Sequence, residues 1–204
     1  MLGAQQSLPT ADAALAELKA GNANYVAKHY QRPHQTAARQ KELASGQSPH
    51  CTILTCADSR VPPEIIFDQG LGDIFDVRVA GNVAGDDEVA SIEYGAEHLH
   101  VPLVVVMGHS HCGAVTAALE GGELPGKLPN LIEALRPAVE QSAHEPGDRL
   151  DNAIRDNVTH VVAQLRAAKP VLSELVAAGK LRIVGAVYSL ETGKVEWLPT
   201  AAGK

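Results

Sequence analysis

The sequence predicts an α/β fold, a mostly parallel central sheet flanked by helices with an N-terminal helical arm, and three observations predict it. Strand-like and helix-like segments alternate between residues 51 and 120, the order of strands joined by helical crossovers. Leu103-Val104-Val105-Val106-Met107 is the most apolar of the strand candidates and shows no alternation, as a strand buried on both faces should. The length of 204 residues suits one domain with an extra arm. Residues 1–204 are therefore expected to form a single domain, with the arm over about residues 1–45.

Each element follows from its residues. Residues 11–29 set Leu15, Leu18, Tyr25 and Val26 among alanines and charges, a helical pattern with an interruption expected near Gly21. Gly46-Gln47-Ser48-Pro49 closes the arm, and Cys51 to Thr55 is a β-rich run. Pro62-Pro63-Glu64 reads as the first turn of a helix, where proline is tolerated. Ile74 to Val79 is the second strand. Asp86 to Leu99 is a helix whose acidic first turn favours the positive end of its dipole. After the apolar strand, Ala114 to Glu120 is a helix and Gly121 to Gly126 a loop; Leu128 to Val139 and Asp148 to Ala168 form longer helices. Arg182 to Tyr188 is a late strand that Glu191-Thr192-Gly193 turns into Lys194 to Trp197.

Composition excludes several classes of function. Apolar residues make up 45% of the chain and aromatics 3%, so Val, Ile, Leu and Ala have to build the interior. A net charge of −7 with no basic block argues against a nucleic-acid surface, and small-molecule chemistry is the better expectation. Met1 to Leu15 lacks a basic segment followed by an apolar stretch, and the longest aliphatic run, Leu103 to Met107, falls far short of the roughly 20 residues of a membrane span. Three cysteines cannot all pair, which points to a reducing, cytoplasmic setting and to metal ligation.

Two short segments carry the chemistry: Cys56-Ala57-Asp58-Ser59-Arg60 and His109-Ser110-His111-Cys112-Gly113. Both follow predicted strands, and α/β sheets hold their functional groups at such carboxyl ends. His109 and Cys112, three apart between a strand end and a helix, can face one point, and sheet pairing brings in Cys56 as the third zinc ligand. His111 competes with His109 for the role but adjoins Cys112 and would point elsewhere. Cys51, inside its strand, reads as a packed core thiol. Two cysteines and one histidine leave a tetrahedral position open, as catalytic zinc sites do. Asp58 can reach the metal or its water, and Arg60 can hold that carboxylate in a forked pair; an ordinary loop ion pair is the alternative.

Cys-x-Asp-Ser-Arg followed by His-x-x-Cys-Gly resembles the β-class carbonic anhydrases. Further matching segments are Gly46-Gln47-Ser48-Pro49, Phe75-Asp76-Val77-Arg78, Ala80-Gly81-Asn82 and Ser91-Ile92-Glu93-Tyr94, so the likeness covers residues 10 to 190 or so. The resemblance implies reversible hydration of carbon dioxide to bicarbonate and a proton by zinc-bound hydroxide. It implies one zinc ion per chain on Cys56, His109 and Cys112, with Asp58 and Arg60 as the catalytic dyad. It also implies a substrate pocket of Gln47, Phe75, Ala80, Tyr94 and Gly113, partly across a subunit boundary in a homodimer or homotetramer. Some bacterial members carry an inhibitory bicarbonate site that uses a Trp three residues before the first zinc Cys; here that residue is Ile53, and Arg78 and Tyr188 are the candidates for its other two groups. Two other functions compete. A carbon disulfide or carbonyl sulfide hydrolase would share the metal ligands, while a non-catalytic zinc or thiol redox protein would not need the Asp58-Arg60 pair.

Overall fold

Five β-rich stretches pair into one sheet in the order β2-β1-β3-β4-β5: β1 (Cys51–Thr55), β2 (Ile74–Arg78), β3 (Leu103–His109), β4 (Arg182–Tyr188) and β5 (Val195–Trp197). The computed structural model describes residues 8–199; Met1 to Ser7, the start of the expected arm, and residues 200–204 lie outside the described part. β1 runs parallel to β2 and β3, and β3 parallel to β4; only β5 is antiparallel, as the return of a hairpin. Every residue of β1 and β3 is buried, because helices cover both faces and those strands need no polar side. β2 lies at the edge and keeps Asp76 and Arg78 exposed.

The helices are α1 (Ala11–Ala27), α2 (Ala37–Leu43), α3 (Pro63–Ile66), α4 (Asp86–Glu97), α5 (Gly113–Glu120), α6 (Leu128–Ser142), α7 (Arg149–Ala167) and α8 (Val171–Ala177). Their starts follow local chemistry. Asp148 caps α7 by accepting the Asp151 N–H at 2.8 Å, and α4 opens with Asp86, Asp87 and Glu88, the last of which accepts the Gly85 N–H at 3.0 Å. α2 and α8 were not foreseen. Both have seven residues, and α2 buries none of them, so neither displays the apolar stripe that reveals a helix in sequence.

The interruption expected near Gly21 is absent, and α1 is continuous. A Cβ on Gly21 would lie 1.7 Å from the Phe67 carbonyl oxygen, so this glycine permits close approach to the chain after α3. The neighbouring Asn22 is buried there, donating to Ile66 O and Gly193 O and accepting from Val195 N–H. Ala14, Leu15 and Leu18 complete the inner side of α1 within the core. On the other face α7 presses on the sheet through two glycines: a Cβ on Gly108 or Gly185 would come within 2.8 Å of the Val158 side chain. Among the described residues no helix is long and apolar enough to cross a membrane.

Candidate metal centre

Three buried ligand atoms meet at the carboxyl end of the sheet. The β1–β3 register pairs Thr55 with Met107, which brings Cys56, one residue beyond β1, alongside the end of β3. His109 is the last residue of β3 and Cys112 the residue that caps α5. Between them His111 adopts φ +53°, a left-handed turn that brings the chain back. The two sulfurs and a His109 ring nitrogen all lie within 4.8 Å of one another.

The donors fit zinc on their own chemistry. His109 Nδ1 is 2.9 Å from the Ser110 carbonyl, an acceptor only, so Nδ1 carries the proton and Nε2 presents a lone pair. That Nε2 is buried without a hydrogen-bond partner, an arrangement a cation would satisfy. The neighbouring Cys112 thiol lowers Cys56 to about 4 against the opposing effect of burial, and the Gly81 N–H adds to this. The same contact and burial push Cys112 well above the ordinary thiol range. Two cysteine sulfurs, thiolates once they ligate, and one imidazole form a soft S₂N set that suits zinc.

Asp58 and Arg60 border this cluster. Arg60 donates its backbone N–H and Nε to Asp58 Oδ1 at 2.9 Å each, and Nη2 to Oδ2 at 2.7 Å. These bonds hold the Asp58 carboxyl well below the usual carboxylate range. Oδ2 lies 3.9 Å from His109 Nε2, so it reaches the edge of the metal position.

Arg78 has a role that the sequence did not disclose. Its guanidinium donates twice to Cys56 O at 3.1 Å and once to Asp58 O at 2.6 Å, pinning the loop that carries both groups. The other two positions considered for a second anion site are also engaged: Ile53 is wholly buried, and the Tyr188 hydroxyl pairs with that of Tyr25 at 3.1 Å. Glu191 was likewise missed as a site residue. One of its oxygens accepts from Ser110 and Ser189 hydroxyls at 3.0 Å and the other binds His111, so His111 faces Glu191 and both residues between the ligands are tied to the β4–β5 turn. Cys51 is a fully buried thiol.

The pocket residues fall into two groups. Ala80 opens a 3₁₀ turn, Ala80–Asn82, whose Gly81 N–H reaches Cys56, and Gly113 opens α5 with open space where a Cβ would be. Phe75 instead pairs with Thr52, four residues before Cys56 and about 13 Å back along the strand. Tyr94 lies beside Phe75, ring centroids 6.1 Å apart, and is half exposed. Gln47 lies before the start of β1, lining an open cavity of about 650 Å³ with Gln40, Leu43 and Leu71.

Comparison with known proteins agrees with this geometry. A family model described as carbonic anhydrase matches residues 51–195. Carbonic anhydrase 2 of Mycobacterium tuberculosis is 45% identical over 186 residues, covering 89% of this chain and 90% of the relative. The carbonic anhydrase of Mycolicibacterium smegmatis is 42% identical, covering 90% and 91%. Among solved structures, the tetrameric β-carbonic anhydrases of Sordaria macrospora give a TM-score of 0.73 at 27% identity, covering 93% of this chain and 98% of theirs. The β-carbonic anhydrase CafA of Aspergillus fumigatus gives 0.72 at 32%, covering 94% and 92%.

Proposed function

We infer the chemistry of this site from the chain's family: it belongs to the carbonic anhydrases, and to their β class. Its reaction is the reversible hydration of carbon dioxide to bicarbonate and a proton. The observation that carries the residue assignment is the buried Cys56, His109, Cys112 cluster, with an unpartnered imidazole nitrogen, beside a carboxylate held by a guanidinium. Zinc, when bound by those three residues, supplies a Lewis acid that yields a hydroxide nucleophile from water near neutral pH.

The chain's own groups do the rest. Asp58 Oδ2 is placed to accept a hydrogen bond from the nucleophile and so direct its lone pair at the carbon. Arg60 keeps that carboxylate ionised, which makes Asp58 an orienting acceptor rather than a base that takes the proton. The Gly113 N–H, first in α5 and unhindered by a side chain, is available to the oxygens that gain charge as bicarbonate forms. Arg78 holds the Cys56–Asp58 backbone so that ligand and dyad move as one unit.

Gln47, Phe75 and Tyr94 sit toward the opposite end of β1 from their own chain's metal ligands, and they complete the pocket of a second copy. The half-exposed Tyr94, the exposed Ile65 and Leu71, and the α2 helix, none of whose residues is buried, support such a contact, as does the tetrameric assembly of the Sordaria proteins. The assembly is a homodimer or homotetramer, with about residues 1–45 as the arm of a single domain. Three free cysteines support a reducing, cytoplasmic setting. The test is metal analysis with stopped-flow hydration: one zinc per chain and rapid turnover of carbon dioxide are expected, and dilution to monomer should abolish the turnover. A fully loaded protein that hydrolyses carbonyl sulfide or carbon disulfide but leaves carbon dioxide untouched would overturn the reading.

A further inference from the structure

The sheet-facing side of α7 carries one amide among aliphatic side chains. Ile154, Val158, Val161 and Leu165 fill that side, and Asn157 sits with them at 1% exposure. Its place is set closely, because Val158 next to it packs on Gly108 and Gly185 with no room for a side chain on either. From there Asn157 Nδ2 donates to the Gly81 carbonyl at 2.8 Å. Gly81 has φ +71° and ψ 14°, a left-handed conformation that glycine adopts without steric penalty. In this conformation its N–H donates to the Cys56 sulfur at 3.3 Å. One residue thus joins α7 to a metal ligand: its carbonyl is held from the helix and its N–H is directed at the thiolate.

We propose that Asn157 is a positioning residue of the zinc centre, holding Gly81 in its left-handed conformation so that the Gly81 N–H stays aimed at the Cys56 sulfur. Asn82, the next residue, is also left-handed at φ +43°, and two such residues in succession need outside support to persist. Of the described groups near Gly81 O, the Asn157 amide is a buried donor fixed by helix packing. Asn82 carries the consequence further: its side-chain oxygen lies 3.7 Å from where a Gly108 Cβ would be, beside the residue that precedes His109. Relaxation of this turn would therefore be felt at two of the three ligands. A hydrogen bond onto a ligating thiolate draws charge from the sulfur and fixes its direction, and losing such support typically lowers metal affinity about 10- to 100-fold.

The inference rests on zinc ligation by Cys56, His109 and Cys112, so the test uses the full-length zinc protein and first measures the parent. Asn157→Leu keeps the number and branching of heavy atoms and suits the apolar face while removing the donor. Its zinc affinity, from competition with a chromophoric chelator, should fall about 10- to 100-fold, and its cobalt-substituted form should show a shifted thiolate-to-cobalt charge-transfer band. Leu165→Ala, buried on the same helix, loosens packing without touching Gly81 and should leave affinity and band unchanged. Parental affinity and band in folded Asn157→Leu, or equal losses in Leu165→Ala, would overturn the proposal while leaving the ligand assignment standing; a parent that holds no zinc would overturn both. Should the leucine variant not fold, the parent still decides: loaded with NMR-active cadmium, its Gly81 amide proton should couple to the metal across the bond to Cys56. Absence of that coupling would end the proposal.

Discussion

Asp58→Asn isolates the orienting role of the dyad, because the two side chains have the same shape. The Asp58 carboxylate uses Oδ1 for two bonds, to the Arg60 N–H and Nε at 2.9 Å, and Oδ2 for one, to Nη2 at 2.7 Å. An asparagine that keeps its oxygen at the Oδ1 position retains two of these three bonds and puts NH₂ at the Oδ2 position. That is the atom 3.9 Å from His109 Nε2, so a donor now stands where an acceptor is required. The flipped amide restores the acceptor but forfeits both bonds at Oδ1. Either way the variant lacks a charge-assisted acceptor at the reacting centre while Cys56, His109 and Cys112 are untouched. Loss of one preorganised polar group of this kind lowers rate about 10²- to 10³-fold, or about 2.7–4 kcal/mol of barrier. Stopped-flow hydration with parallel metal analysis should show that loss at full zinc occupancy. Turnover within a few-fold of the parent would leave Asp58 and Arg60 as an ordinary loop ion pair, and zinc loss in step with rate would make Asp58 a ligand.

Three further outcomes follow from the packing. Cys112→Ala should lose metal and activity together, whereas Cys51→Ala, which removes a sulfur buried in β1 away from the cluster, should keep both; elemental analysis of the pair decides. Gly21→Ala should destabilise despite better helix propensity. Its methyl would sit 1.7 Å from Phe67 O, and retreat of α1 breaks three Asn22 bonds, about 3 kcal/mol or a Tm about 6–12 °C lower; an unchanged Tm refutes the close approach. His50 is held below the ordinary histidine value of about 6.5, chiefly by burial, with Glu17 and Asp73 opposing and His34 adding. The unfolded chain therefore takes up this proton first as pH drops, so the stability present above pH 6.5 is lost below it, by at most about 1.4 kcal/mol per pH unit. Urea unfolding at a series of pH values should give a shallower slope for His50→Gln than for the parent, and superimposable slopes would contradict this.

What the sequence disclosed follows a physical division. β1, β3 and β4 were legible because strands buried on both faces must be continuously apolar, and α7 because a long helix with one wet face repeats its stripe several times. Cys56, His109 and Cys112 were legible because ligation demands particular atoms at strand ends, and few residue types supply them. By contrast, α2 has no buried residue and α8 is too short to repeat a pattern. Gly21 was misread because a mid-helix glycine looks the same in sequence whether it breaks a helix or lets a neighbour come close; only the Phe67 carbonyl distinguishes the two.

The supporting groups were hidden for a further reason. Arg78, Asn157 and Glu191 do their work through backbone carbonyls, or by tying one loop to another, and a contact across 22 to 81 residues of sequence leaves no local spacing to read. They nevertheless approach the centre from three independent directions: Arg78 from the edge strand, Asn157 from the covering helix and Glu191 from the β4–β5 turn. Each addresses a different piece of the site, the Cys56–Asp58 loop, the Gly81 N–H and the Ser110–His111 turn respectively. A zinc site with three protein ligands has one position open to chemistry, so its geometry has to be held by the surrounding protein rather than by a fourth ligand. Three restraints from separate elements supply that hold, and removing any one should shift the ligands it serves without collapsing the sheet that carries them.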